Sequence, residues 1–135
     1  MQPTTFDFHH REDEIGQLVF LEECKDVPFE VKRVYYIYGV KDGARRGFHA
    51  HKSLEQACIC IHGSCKVMLD DGKERIDVVL DDPTKGLYVG NAVWREMYDF
   101  SEDAVFLVLA SEYFDEQDYI RDYDQFLAYL KEKEA

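Results

Sequence analysis

Residues 46–63 read RGFHAHKSLEQACICIHG, and this stretch decides how the chain folds. Polar and apolar residues alternate before a short polar break, and a mostly apolar run follows it; both segments are typical of β-strands. On the first strand, His49 and His51 share one face, with Cα atoms about 6.6 Å apart. On the second strand, from Gln56 to His62, the same two-residue period puts Gln56, Cys58, Cys60 and His62 on one face. On the inside of a barrel, two such histidines are half of a usual metal site; on a solvent-facing side they are ordinary polar residues.

Short strand-like segments continue outward from this stretch in both directions. They are 17–23, 31–40, 65–69, 74–80, 87–89, 92–98 and 104–110. About eight strands at a spacing of 8–12 residues predict a sandwich or a small barrel. The run from Ala104 to Ala110 is fully apolar, which predicts a central strand covered on both sides.

The end of the chain switches to the 3.6-residue period of a helix. We expect a helix over 115–133, with Asp115 as its cap and Asp118 in its first turn. Its apolar face consists of Ile120, Tyr123, Leu127 and Leu130. We expect this helix to pack on the outside of the β-domain and to take no part in chemistry.

The composition fits one domain over residues 1–135 and excludes several functions. There are 16 Lys and Arg against 28 Asp and Glu, a net charge of -12 that argues against nucleic-acid binding. The sequence has no apolar run long enough to span a membrane and no signal-peptide pattern at its start. Its four cysteines form no CxxC pair, so we expect reduced thiols and a cytoplasmic protein.

The charge is distributed unevenly along the chain. Residues 30–52 carry six bases against two acids, a local balance of +4, whereas residues 111–135 carry three bases against eight acids. A basic segment in an acidic protein suits a small anionic substrate, although solvated strand edges have the same composition.

The spacing around the histidines is similar to that of the cupin family. Its first motif has HxH, four residues, an acidic metal ligand, six residues and a glycine; here Gln56 holds the ligand position. In its second motif, Met97 stands where the third histidine belongs. An amide and a thioether are poor ligands for first-row divalent metals. The resemblance therefore implies an all-β, cupin (RmlC-like) jelly-roll barrel with a C-terminal helix, whose histidines hold no metal and are free for proton transfer.

A closer resemblance covers residues 16–129, nearly the whole chain. The segments that carry it are KRVYYI (32–37), RGFHAHK (46–52), GLYVG (86–90), VWREM (93–97) and LASEYFDEQDYIR (109–121). They look like the dTDP-4-keto-6-deoxyglucose 3,4-ketoisomerases. This resemblance implies a cofactor-free enzyme that moves the ketone of its dTDP-linked sugar from C4 to C3. The product feeds the synthesis of 3-amino-3,6-dideoxy sugars. It also implies a homodimer that exchanges N-terminal strands, with no nucleic-acid or membrane partner.

The family's paired histidines correspond to His49 and His51, and we expect one of them to take the C3 proton. Tyr35 is expected to donate to the enediolate oxygen, and its neighbours Tyr36 and Tyr38 to face the core. The expected substrate-binding residues are Arg33, Arg46, Lys52, Gln56 and Arg95, the three arginines as holders of the diphosphate.

Two positions bear on the configuration of the product at C4. Arg95 resembles the branch of the family with a gluco product, whereas the other branch has histidine there. Both branches have a polar residue just before the glycine that corresponds to Gly16, and Ile15 departs from this pattern. The gluco product is therefore favoured, and the galacto product stays open as the alternative.

Three other functions remain open from the sequence. A dTDP-sugar 3,5-epimerase shares the fold and the substrate, but epimerases pair their histidine with a distant Asp and Tyr and are usually longer. The second is a cupin that binds a nucleotide sugar without catalysis. The third is a metal-dependent cupin dioxygenase, which Gln56 and Met97 disfavour because they are poor metal ligands.

Overall fold

The computed structural model describes residues 1–134, which form a β-protein with one α-helix. The strands are β1 (Thr4–Asp7), β2 (His10–Asp13), β3 (Gly16–Val19), β4 (Arg33–Tyr38), β5 (Arg46–His51), β6 (Gln56–His62), β7 (Cys65–Asp70), β8 (Arg75–Leu80), β9 (Lys85–Val89), β10 (Trp94–Tyr98), β11 (Val105–Ala110) and β12 (Tyr119–Ile120). The helix is α1 (Tyr123–Glu134). None of the helices in the described part of the chain has the length and apolar character that a membrane crossing requires.

Two antiparallel five-stranded sheets face each other. Their strand orders are β1-β9-β6-β11-β4 and β12-β5-β10-β7-β8, and the hairpin of β2 and β3 stands apart from both. β11 is flanked on both sides, by β6 and β4, which confirms that the apolar run from Ala104 to Ala110 is an inner strand. The predicted cupin jelly roll is therefore the observed fold.

Three hydrophobic clusters hold these layers together. The first lies between the sheets, around Val67, Leu87 and Phe106. The second lies on the outer face of the first sheet, where the N-terminal segment contributes Phe8, Val27 and Phe29. The third lies under α1, whose Phe126 is fully buried beside Trp94. Because the inner strands of both sheets are covered on their outer faces, a strand such as β6 can be apolar on both sides.

The predicted helix over 115–133 is wrong over residues 115–122. Asp115 does cap a helical turn, but this is a short 3₁₀ turn at 116–118. Residues 119 and 120 then pair with β5 as a strand, so Ile120 is not on the helix, and α1 starts only at Tyr123. The chain leaves the helical path here because the edge of β5 is open to a partner strand.

The predicted burial of Tyr36 and Tyr38 is also wrong. β4 alternates as expected, but it lies at the edge of its sheet, and no other part of the described chain covers its outer face. Tyr36 and Tyr38 are therefore 61% and 71% exposed, and Val34 beside them is 55% exposed. Alternation reveals that a strand has two faces, but it does not reveal whether the second face is covered.

Candidate active site

The strand that carries the histidines, β5, is irregular just before them. Arg95 on β10 lies opposite His49 and Glu96 lies opposite Gly47, so Phe48 is the extra residue of a β-bulge. Gly47 and Phe48 have φ values of 96° and 58°. A Cβ on Gly47 would lie 2.8 Å from the carbonyl oxygen of Arg95, so only glycine fits this position. The bulge sets the direction from which His49 enters the barrel.

His49 lines a cavity of about 370 Å³ between the two sheets. The other lining residues are Arg33, Val34, Tyr35, Ile37, Arg46, Gly47, Met97, Tyr119 and Arg121. The Nδ1 atom of His49 lies 3.1 Å from the carbonyl oxygen of Gly47. Because a carbonyl only accepts, Nδ1 is the protonated nitrogen, and Nε2 keeps its lone pair. His49 is therefore arranged to accept a proton from a molecule in the cavity.

His51 lies one layer deeper and is completely buried. Its ring is 4.9 Å from that of His49, centre to centre, at an angle of 85°. Its Nδ1 lies 3.1 Å from Oδ2 of Asp118, and its Nε2 has no hydrogen-bond partner among residues 1–134. The ring of Tyr119 packs on both histidines, 5.0 Å from His49 and 4.3 Å from His51. The predicted neighbourhood of the two histidines is confirmed.

Arg95 places a positive charge beside them in the interior of the barrel. Its guanidinium donates to Oε1 of Gln56 at 2.6 Å and to the carbonyl oxygen of Val93 at 3.0 Å. It makes no ion pair with a carboxylate in the part of the chain that the structure describes. The role in holding a diphosphate that the sequence predicted for Arg95 does not fit this position, because the side chain is only 2% exposed.

Burial and Arg95 together change the proton affinity of the histidines. Burial and the positive charge of Arg95 each make a protonated imidazole unfavourable, and burial is the larger cause for both histidines. They lower the pKa of His49 to about 4 and that of His51 to about 2. Both rings are therefore neutral near pH 7, the form that can act as a base.

Tyr35 and Gln56 connect Arg95 to the cavity. Because an arginine only donates, the atom of the Gln56 amide that faces Arg95 must be the oxygen, Oε1. The amide nitrogen, Nε2, then points toward Tyr35 and donates to its hydroxyl oxygen at 3.0 Å. The Tyr35 hydroxyl hydrogen is then free to point elsewhere. Burial raises the pKa of Tyr35 to about 12, so this hydroxyl stays protonated and can donate.

Three arginines surround the mouth of the cavity. Arg33 and Arg46 were predicted from the sequence; Arg121 joins them from the segment after β12. The Nε and Nη2 atoms of Arg33 are buried without a hydrogen-bond partner among the described residues, so this guanidinium has donors that no other described residue uses. Lys52, also predicted to bind substrate, does not line this cavity and lies in a groove beside α1.

Comparisons with known proteins agree with this site. The family model for FdtA, described as WxcM-like, C-terminal, matches residues 1–131. This chain belongs to the FdtA family. A curated relative from Aneurinibacillus thermoaerophilus, TDP-4-oxo-6-deoxy-alpha-D-glucose-3,4-oxoisomerase, is 54% identical over 96% of this chain and 94% of its own length.

Two solved structures are similar over nearly the whole chain. The first is a histidine-to-asparagine mutant of the 3,4-ketoisomerase QdtA from Thermoanaerobacterium thermosaccharolyticum, in complex with TDP-4-keto-6-deoxyglucose. It is 46% identical with a TM-score of 0.94 over 97% of this chain and 95% of that one. The second is the TDP-quinovose 3,4-ketoisomerase WlaRB from Campylobacter jejuni. It is 47% identical with a TM-score of 0.89, and the match covers 93% of this chain and 97% of that one. The predicted resemblance to the 3,4-ketoisomerases is confirmed.

The sequence did not point to three residues of this FdtA-family site. Asp118, Tyr119 and Arg121 all come from the segment that was predicted to be helical and chemically inert. A helix over 115–133 would place these three residues on its first turns, away from the histidines. In the structure, β12 pairs with β5 and brings them next to His49 and His51. A distant Asp and Tyr beside a histidine, expected only of an epimerase, are thus present here as well.

Proposed function

We propose that this protein is a sugar-nucleotide 3,4-ketoisomerase that converts dTDP-4-keto-6-deoxyglucose (TDP-4-keto-6-deoxyglucose in the names of its relatives) into the 3-keto sugar. The observation that carries this proposal is a pair of neutral histidines beside Arg95, a buried cation with no carboxylate partner among residues 1–134. A ketone shift needs a base and a fixed positive charge for the oxyanion that forms, and this site supplies both.

The reaction moves protons only. A base removes the hydrogen of C3, and the electron pair of that bond moves through C3=C4 to leave an oxyanion at O4. The O3 proton then leaves, O4 and C4 are each protonated, and the ketone is at C3. His49 lines the cavity and takes the first proton in this scheme, while Tyr35 donates to the enediolate and Arg95 stabilises its charge.

The arginines at the mouth suit the diphosphate. Arg33, Arg46 and Arg121 line the cavity, and guanidinium groups pair with phosphate through parallel hydrogen bonds. The net charge of -12 opposes an anionic substrate at long range, but screening over about 8 Å at physiological salt leaves the local arginines to dominate at the mouth.

We expect the gluco configuration at C4 of the product. The support is Arg95, the residue type of the gluco branch, together with 47% identity to an enzyme named for quinovose, a gluco sugar. The coupling between H4 and H5 in the NMR spectrum of the product distinguishes a large axial–axial value from the small value of a galacto sugar.

The protein is also proposed to be a cytoplasmic homodimer. β4 leaves Val34, Tyr36 and Tyr38 exposed on an edge strand, and the β2–β3 hairpin exposes Ile15 to 95% at its tip. Exposed apolar patches on an edge strand favour association with a second copy. Light scattering should give twice the chain mass of 15.9 kDa, and a mass of one chain at micromolar concentration would contradict the dimer. Strand exchange between the copies stays a prediction.

The pH dependence of kcat/KM should show the lowered pKa values of the histidines. The neutral imidazoles are the active form, and burial with Arg95 delays their protonation to about pH 4 for His49. We therefore expect kcat/KM to stay level from pH 8 to pH 5 and to fall only nearer pH 4. An acid limb at about 6.5, the value of a free imidazole, would contradict this site. Circular dichroism at each pH controls for unfolding.

The direct test of the proposed function is turnover of dTDP-4-keto-6-deoxyglucose coupled to a 3-aminotransferase. The coupling enzyme removes the labile 3-keto product, so aminated sugar should accumulate only when this protein is present. Binding of dTDP without any aminated product would indicate a binding protein instead.

A further inference from the structure

Asp118 holds a place in the site that the proposed reaction does not by itself explain. Its carboxylate accepts three hydrogen bonds. Oδ1 accepts from the backbone N–H of Ser53 at 2.8 Å, while Oδ2 accepts from that of Leu54 at 3.2 Å and from Nδ1 of His51 at 3.1 Å. β12 carries Asp118 to this point, because Tyr119 pairs with His51 in the register of the two strands.

These contacts determine which nitrogen of His51 carries the proton. An ionised carboxylate is only an acceptor, so the Nδ1 atom that meets Asp118 must be the donor. The lone pair is therefore on Nε2. That atom is buried and has no partner within residues 1–134, and the ring lies 4.9 Å from the ring of His49, centre to centre. A polar atom left without a partner at this depth costs free energy unless a ligand or a proton uses it.

A protonated His51 also needs a nearby negative charge. Burial and the positive charges of Arg95 and Arg33 oppose its protonation, as does His49 when protonated. Asp118 is the carboxylate in direct contact with the ring. An aspartate that orients a histidine base and stabilises its imidazolium has this geometry.

Resting on the proposed ketoisomerase activity, we propose that Asp118 is the positioning residue of His51: it holds the imidazole in the tautomer whose Nε2 accepts a substrate proton, and it balances the charge of the imidazolium that results. Asp118 does not itself take the proton, and it makes no contact with the substrate in this role.

The test combines the tautomer of His51 with the kinetics of Asp118→Asn. In ¹⁵N-labelled wild type at pH 7, long-range ¹H–¹⁵N spectra should show His51 protonated at Nδ1. In Asp118→Asn the amide NH₂ competes for the place of Oδ2, so the tautomer should shift toward protonated Nε2. We expect kcat to fall by about 10⁴-fold, the loss that follows when the orienting aspartate of a catalytic triad becomes asparagine. The Kd for dTDP should stay within about threefold of the wild type, since Asp118 does not hold the nucleotide in this role.

The matched control is Asp122→Asn, the same change four residues away. Asp122 caps α1 by accepting from the N–H of Gln125 and does not contact His51, so its kcat should stay within about twofold, since asparagine caps as well as aspartate. Wild-type His51 protonated at Nε2 would overturn the proposal, even if Asp118→Asn fails to fold. A large loss of kcat with an unchanged tautomer would also overturn it, because Asp118 would then act through the backbone of Ser53 and Leu54. If the wild type turns over no dTDP-4-keto-6-deoxyglucose, the proposed function fails, while the NMR spectra still test the pairing.

Discussion

The His49→Asn and His51→Asn variants should each fold and lose kcat for dTDP-4-keto-6-deoxyglucose by about 10²–10⁴-fold, the usual contribution of a general acid–base group. The asparagine amide matches the half of the imidazole ring nearest the backbone, but it cannot accept a proton near pH 7. The loss should appear in kcat, since neither side chain is proposed to bind the nucleotide. The measurement is the initial rate by the coupled aminotransferase assay, with dTDP affinity measured in parallel by calorimetry.

His62→Asn is the matched control for these two variants. His62 is exposed, contacts the carbonyl oxygen of Asp103 at 2.9 Å and does not line the cavity, so its kcat should remain within about twofold of the wild type, as for most surface changes. Near-normal turnover in both His49→Asn and His51→Asn would remove the histidines from the mechanism. Loss in only one of them would identify a single base that serves both carbons.

The Arg95→Met variant should lose kcat by about 10²–10³-fold, the size of the loss when one electrostatic stabiliser of an oxyanion is removed. Methionine has a similar length but no charge, so the enediolate would lose its buried cation. The same change has a second, independent effect. Arg95 lowers the pKa of His49, so its removal should move the acid limb of kcat/KM to higher pH. Both effects come from one pH series of initial rates on the variant and the wild type.

Arg45→Met controls for the loss of an arginine elsewhere. Arg45 pairs with Glu96 at 2.7 Å and lies over the ring of Tyr98, outside the cavity, so neither kcat nor the acid limb should change. If Arg95→Met keeps its kcat, the buried cation is not the oxyanion partner. If the acid limb stays in place, Arg95 does not control the protonation of His49.

Much of the fold follows from local patterns in the sequence. The short, mostly apolar run from Gln56 to His62 gives the bounds of β6, and the spacing from His49 to Gly63 gives the cupin topology. Tyr36 and Tyr38 show where this reasoning stops. The alternation of β4 was predicted correctly, but no local pattern indicates that β4 is an edge strand without a covering layer.

The site was predicted in part for a similar reason. His49, His51, Gln56 and Arg95 lie on strands whose register follows from the cupin spacing. The depth of Arg95 could not be predicted, because it depends on which face of β10 points into the barrel. Asp118 is 67 residues from His51, and only the pairing of a two-residue strand brings them together. A period of 3.6 around Asp118 favoured a helix, and tertiary contact with β5 overrode it.

One incubation tests the central claim most directly: dTDP-4-keto-6-deoxyglucose with the wild-type protein in deuterated water, followed by NMR of the sugar. The proposed mechanism predicts a ketone at C3 and no deuterium at C5, because His49 and Arg95 act on C3, C4 and their oxygens. Deuterium at C5 with the ketone still at C4 would contradict the ketoisomerase and indicate an epimerase. An unchanged sugar, with dTDP bound, would contradict catalysis altogether.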